Sequence, residues 1–216
     1  MHSRGVGRGG YDGRMDAVDT ALVLALDGSA SVGFDEFDLM ARALGAAFHD
    51  PDVLAGLLGG ERRAGCACLL LWSGTGAQDV LVDWTRLASP DDVRHFGRLI
   101  ADAPRLVRPG ATAIGEALLA AARLLARAPA SSARQVIDVI GDGRSNEGTP
   151  PGSVRDRLVD AGVTINGLCL LHEESDVLRH YESEVIGGPG AFALPCPDPP
   201  GFAWAMRLKL LREFTS

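Results

Sequence analysis

No apolar run in this 216-residue chain approaches the roughly 20 residues that a membrane-spanning helix needs. Cations are also scarce: 21 Lys and Arg stand against 28 Asp and Glu, for a net charge of −7. Nucleic-acid binding rests on clustered cations, so no nucleic-acid partner is expected. Basic residues gather only thinly, at Arg105-Leu106-Val107-Arg108 and between Arg207 and Arg212. There are four cysteines, and none forms the Cys-x2–4-Cys pair of a structural zinc site. Cys66 and Cys68 lie two apart in an apolar run, which puts both side chains on one side of a strand. Buried free thiols are the expectation, with a disulfide from Cys196 left open for an exported chain. Residues 1–17 are rich in Gly and Arg and lack the apolar stretch of a secretory signal. They read as a disordered tail or a wrongly assigned start, ahead of one domain over residues 18–216.

What is present is a regular alternation of strand and helix signals. Ala21–Leu26 is continuously apolar and too short for an amphipathic helix, so it reads as a strand buried on both faces. Cys66–Trp72, Val136–Ile140 and Val163–Leu171 have the same character, and Ala191–Leu194 is a short further strand. Asp79–Thr85 follows the turn Gly74-Thr75-Gly76 and predicts an antiparallel edge strand. Helices are predicted over 34–49, 90–101, 114–126, 153–161, 177–185 and 202–214. Ser89 and Pro90 open the second, and Gly162 closes the fourth. Pro195 to Gly201 reads as a rigid loop before the last helix. The expected fold is α/β: a Rossmann-like, doubly wound, mostly parallel sheet of six strands in the order 3-2-1-4-5-6. It has one antiparallel edge strand and helices on both faces.

In that order, strands 1 and 4 flank the point where the winding reverses, and ligands collect outside the carboxyl ends of the strands there. Asp27 ends the first strand and Asp142 follows the fourth. Ser29, Ser31 and Thr112 join them as oxygen donors, with no imidazole or thiolate in the set. Hard oxygen selects Mg²⁺, Mn²⁺ or Ca²⁺ over Zn²⁺ or Cu²⁺. Two carboxylates and three hydroxyls leave positions on such an ion for water or for a carboxylate from outside. Each piece also has a plain structural alternative: Asp-Gly-Ser and Gly-Asp-Gly are common turns, and Thr112 could cap the helix that follows it.

The segments Asp27-Gly28-Ser29-Ala30-Ser31, Gly110-Ala111-Thr112-Ala113-Ile114 and Gly141-Asp142-Gly143 resemble the metal-ion-dependent adhesion site of von Willebrand factor type A domains, over about residues 18–216. Four further segments resemble a bacterial family of stand-alone A domains of unknown function. They are Trp72-Ser73-Gly74, Val136–Val139, Thr164–Leu168 and Val185–Phe192. The resemblance implies that Ser29 and Ser31 ligate the ion directly and Thr112 directly or through water. Asp27 and Asp142 act mainly through water. An exposed Asp or Glu of a protein partner completes the shell, on a chain expected to be a monomer and not an enzyme. It also implies a periplasmic or secreted setting, and a last helix that moves with the site, along the stripe Phe202, Met206, Leu210 and Phe214.

The alternative is a Mg²⁺- or Mn²⁺-dependent hydrolase or phosphatase at the same site, in which Glu116 or Glu147 would have to act as the base. Arg144, Asn146 and Glu147 are expected to rim the pocket, and Trp72 to pack in the core or at the rim. Asp138, a carboxylate inside an apolar strand, is expected to bond neighbouring loop backbone. His172-Glu173-Glu174 with Pro195-Cys196 falls short of the nucleobase deaminase signature, since Pro199 stands where the second Cys belongs.

Overall fold

The computed structural model describes residues 16–171 and 176–215, so most of the expected tail and the His172–Glu174 stretch lie outside the described residues. Six strands form one sheet in the order β3-β2-β1-β4-β5-β6, as the sequence predicts. They are β1 (Val18–Asp27), β2 (Gly65–Trp72), β3 (Gln78–Leu87), β4 (Ser132–Gly141), β5 (Val163–Leu170) and β6 (Ala193–Cys196). Only the β2–β3 pair is antiparallel, closed by a turn in which Gly76 takes φ +76°. β1, β2 and β5 are buried almost throughout, because helices cover both faces of the sheet.

One face carries α1 (Phe34–Ala47), α2 (Pro51–Leu57), α3 (Pro90–Ala101) and α7 (Phe202–Thr215). Against them point Leu22, Leu24 and Leu26 of β1 with Leu69 and Leu71 of β2. The other face carries α4 (Ile114–Leu125), α5 (Pro151–Asp160) and α6 (Val177–His180) over Ala21, Val23 and Ala25. Cys66 and Cys68 share this second face, and all four cysteines are buried free thiols. Ser89 Oγ accepts from the Asp92 amide at the start of α3, and Gly162 takes φ +86° after α5, both as expected.

Three local readings change. α2 was not foreseen; Asp50 caps it through the amides of Asp52 and Val53. The helix expected over 177–185 is α6 followed by a π-turn over Tyr181–Val185, where the Ile186 amide bonds back to Tyr181 O. β6 is Ala193–Cys196 instead of 191–194, so Pro195 and Cys196 belong to the edge strand, not to the loop after it.

Asp138 finds a partner other than the expected loop backbone. Its side chain lies under α7 and pairs with Lys209 Nζ, both groups being fully buried. Glu213, one turn further along α7, bonds Asn166 Nδ2 of β5 and takes Arg134 Nη2 at 3.1 Å. Burial, then the neighbouring Asp138 charge, push the Glu213 carboxyl up to about 7. Phe202, Met206 and Leu210 of the predicted stripe are buried, while Phe214 packs half-buried at its end. At the pole where the parallel strands begin, Asp19 and Thr215 line one shallow depression.

Candidate functional site

β1 and β4 are adjacent and parallel, so their carboxyl ends bring the residues after Leu26 and Ile140 to one pole of the sheet. Asp27 Oδ1 accepts the Ser29 amide at 2.7 Å, which curls the loop after β1 back over the strand end. Ser29 Oγ and Ser31 Oγ are 3.1 Å apart, and Ser31 Oγ donates to Asp142 Oδ1 at 2.8 Å. Thr112 reaches the same place from the loop before α4. A β-carbon on Gly143 would fall 3.3 Å from Thr112 Oγ1. All five predicted oxygen donors therefore meet at one pole, on three separate loops.

Asp27, Ser29, Thr112 and Asp142 are buried, while Ser31 opens to solvent. Burial, and then the nearby Asp142 carboxylate, push the Asp27 carboxyl up to about 7. Asp27 Oδ2 has no hydrogen-bond partner among the described residues. It lies 2.8 Å from where a β-carbon on Gly141 would stand, with Tyr181 Oη 2.9 Å from the same point. Two carboxylates buried together gain from a cation between or beside them, and hard oxygen donors suit a hard ion. The donor set thus fits a divalent cation.

Several supporting residues were not legible beforehand. Asn146 is exposed beside the site, and its side chain does more than rim it: Oδ1 accepts the Thr112 amide at 2.8 Å, and its backbone amide donates to Thr112 O at 3.0 Å. Arg105 Nη2 donates to Gly28 O at 2.8 Å and Ser29 O at 2.9 Å, so the thin basic stretch holds the ligand loop from outside. The Ala30 amide donates to Gly110 O, and Ser73 Oγ to Arg108 O, which tie that wall to β1 and β2. Arg144 pairs with Asp176 at 2.8 Å, and Trp72 is buried in the core. Glu147 Oε2 accepts from the Thr75 amide, and Glu116 Oε1 from Thr149 N and Oγ1. A run of polar residues after Asp142 marked Asn146 as worth testing; nothing in the sequence marked Tyr181.

A family described as "Protein of unknown function (DUF1194)" matches residues 17–216. The chain belongs to this family. A search of curated proteins returns no match. Among solved structures, the fold is that of von Willebrand factor type A domains. A von Willebrand factor type A protein from Catenulispora acidiphila superposes with TM-score 0.61 at 16% identity, over 92% of this chain and 43% of that one. Proximal thread matrix protein 1 from the mussel byssus, described with a zinc-occupied MIDAS motif, gives 0.61 at 14% identity, over 91% of this chain and 48% of that one. The von Willebrand domain of the type V pili tip protein Mfa5 from Porphyromonas gingivalis gives 0.60 at 11% identity, over 89% and 94%. The chain spans under half the length of the first two. At these identities the likeness establishes the fold.

Proposed function

We propose that the chain is a divalent-cation-dependent protein-binding domain of the adhesion type. Asp27, Ser29, Ser31, Thr112 and Asp142 would hold Mg²⁺, Mn²⁺ or Ca²⁺, and an Asp or Glu of a partner protein would complete the coordination. The observation that carries this is the junction of Ser29, Ser31 and Asp142 beside the buried Asp27, whose Oδ2 finds no protein partner among the described residues. Ser31 and the solvent-facing side of the junction leave room for a ligand from outside.

The comparisons support this in kind. One neighbour is named for a zinc-occupied MIDAS motif and another is a pili tip protein. Such neighbours also favour a periplasmic or extracellular setting. A hydrolytic reading gains nothing from the geometry, since Glu116 and Glu147 are both engaged in holding loop backbone.

The test is thermal unfolding of chelator-stripped protein with Mg²⁺, Mn²⁺ or Ca²⁺ added, beside Asp142→Ala. An ion at a hundred times its Kd stabilises by about 2.7 kcal/mol, which for a chain this size raises Tm by about 5–10 °C. A rise abolished in the variant supports the proposal. The absence of a rise with every ion up to tens of millimolar would overturn it.

A further inference from the structure

Phe34 opens α1 with 71% of its surface exposed and belongs to neither core cluster, unlike Phe37 and Met40 behind it. Its ring rests on Arg105, whose guanidinium carbon is 4.9 Å from the ring centroid. The same guanidinium bonds the carbonyls of Gly28 and Ser29, so one cation holds both the ligand loop and the aromatic ring. Leu106, next in that loop, is 62% exposed, while Val107 turns inward against the loop after β1. Single exposed apolar residues are ordinary. Here two stand on one hydrogen-bonded wall, and Phe34 is only three residues from Ser31. Three residues of chain span at most about 11 Å.

We propose that Phe34 on Arg105, continued by Leu106, seats an apolar side chain that flanks the partner's acidic residue. The ligand is then a protein segment in which Asp or Glu stands within two positions of an aromatic or large aliphatic residue. This rests on the reading of the site as an ion-dependent docking point. In an extended segment, side chains two apart lie on one face about 7 Å from each other, within the roughly 11 Å that the chain from Ser31 to Phe34 can span. Arg105 and the exposed Arg108 put cations on the loop side of the shelf, opposite the exposed Asp35 that follows Phe34, so an acidic segment is best received along the loop side. The contact fixes which carboxylates are accepted, a choice that a metal ion alone makes poorly.

The experiment is selection from a displayed library of seven-residue peptides with a fixed central Asp and random flanks, on the full chain in Mn²⁺ with elution by chelator. Enrichment of Phe, Leu, Ile, Trp or Tyr within two positions of the Asp is expected. A synthetic peptide of that kind should bind Phe34→Ser about tenfold more weakly, while an Asp peptide flanked by glycines binds both proteins equally. Mn²⁺ affinity and Tm should not change, since Phe34 is exposed and packs in neither core. Chelator-sensitive enrichment with no apolar preference, or a preference that Phe34→Ser leaves intact, would overturn the shelf and leave the ion site standing. No chelator-sensitive enrichment would overturn both. Self-association that disappears in Phe34→Ser would assign the shelf to a second copy of the chain instead, and overturn the proposal.

Discussion

Ser31 Oγ donates to Asp142 Oδ1 over 2.8 Å, joining residues 111 apart in the chain. The bond ties the loop after β1 to the loop after β4 at the point where the sheet's winding reverses. Removing it tests whether that junction is an ion site or only a loop tie. As a tie, one part-buried hydrogen bond contributes about 0.5–1.5 kcal/mol. Ser31→Ala is therefore expected to lower the Tm of metal-free protein by only a few degrees, yet to remove most of the metal-induced rise. Calorimetry with and without Mn²⁺ measures both effects on one sample.

Gly141 separates Asp27 from Tyr181, and a β-carbon there would stand under 3 Å from an oxygen of each. Gly141→Ala should force the Asp27 carboxylate aside, at a cost of about 1–3 kcal/mol from overpacking. Ion affinity should fall by tenfold or more. Urea unfolding and isothermal titration with Mn²⁺ would report the two losses separately. Wild-type ion affinity in this variant would mean that Asp27 has no part in binding.

Lys209 and Asp138 are a buried ion pair between α7 and the sheet. Removing one member leaves a buried charge, at about 3–5 kcal/mol, whereas removing both can be nearly neutral. Lys209→Met should therefore shift the urea midpoint strongly downward. Asp138→Leu combined with Lys209→Met should recover most of the loss. Equal destabilisation by the single and double variants would show that the pair does not hold α7.

Burial and the neighbouring Asp138 charge raise the Glu213 carboxyl from an ordinary 4.5 to about 7. Between those values the folded state keeps a proton that the unfolded state has released, so this group lowers stability as pH rises through the window. Asp27, also raised to about 7, adds a slope in the same window, so Glu213→Gln should lessen the slope without abolishing it. Urea midpoints at pH 5 and pH 8 for both proteins give the comparison, and an unchanged slope in the variant would exclude Glu213 as its source.

The sheet was legible because its strands are buried on both faces: apolar runs such as Ala21–Leu26 leave few other readings, and strands alternating with helices point to a doubly wound sheet, of which 3-2-1-4-5-6 is one common order. α2 was hidden because Pro51–Leu57 is barely two turns long and carries too few residues to show a period. The π-turn at Tyr181 looks like plain helix, since the extra residue of a π-turn leaves the apolar spacing almost unchanged. At the candidate site, the five oxygen donors announce themselves by residue type and by their places beside strand ends. Their supports do not. Arg105, Asn146 and Tyr181 act through backbone carbonyls, an amide and a shared space over a glycine, which depend on how loops fold onto one another. The partner of Asp138 was likewise out of reach, because Lys209 lies 71 positions away on a helix whose rotation is set by its packing.

Asp19 and Thr215 line the same depression, at the pole where β1 begins, while the oxygen donors crown the pole where it ends. The strand from Asp19 to Asp27, about 26 Å long, lies between. A sensor chip or a bead coupled at Thr215 would hold the domain with the pole that carries Asp27, Ser31 and Asp142 pointing away from the support.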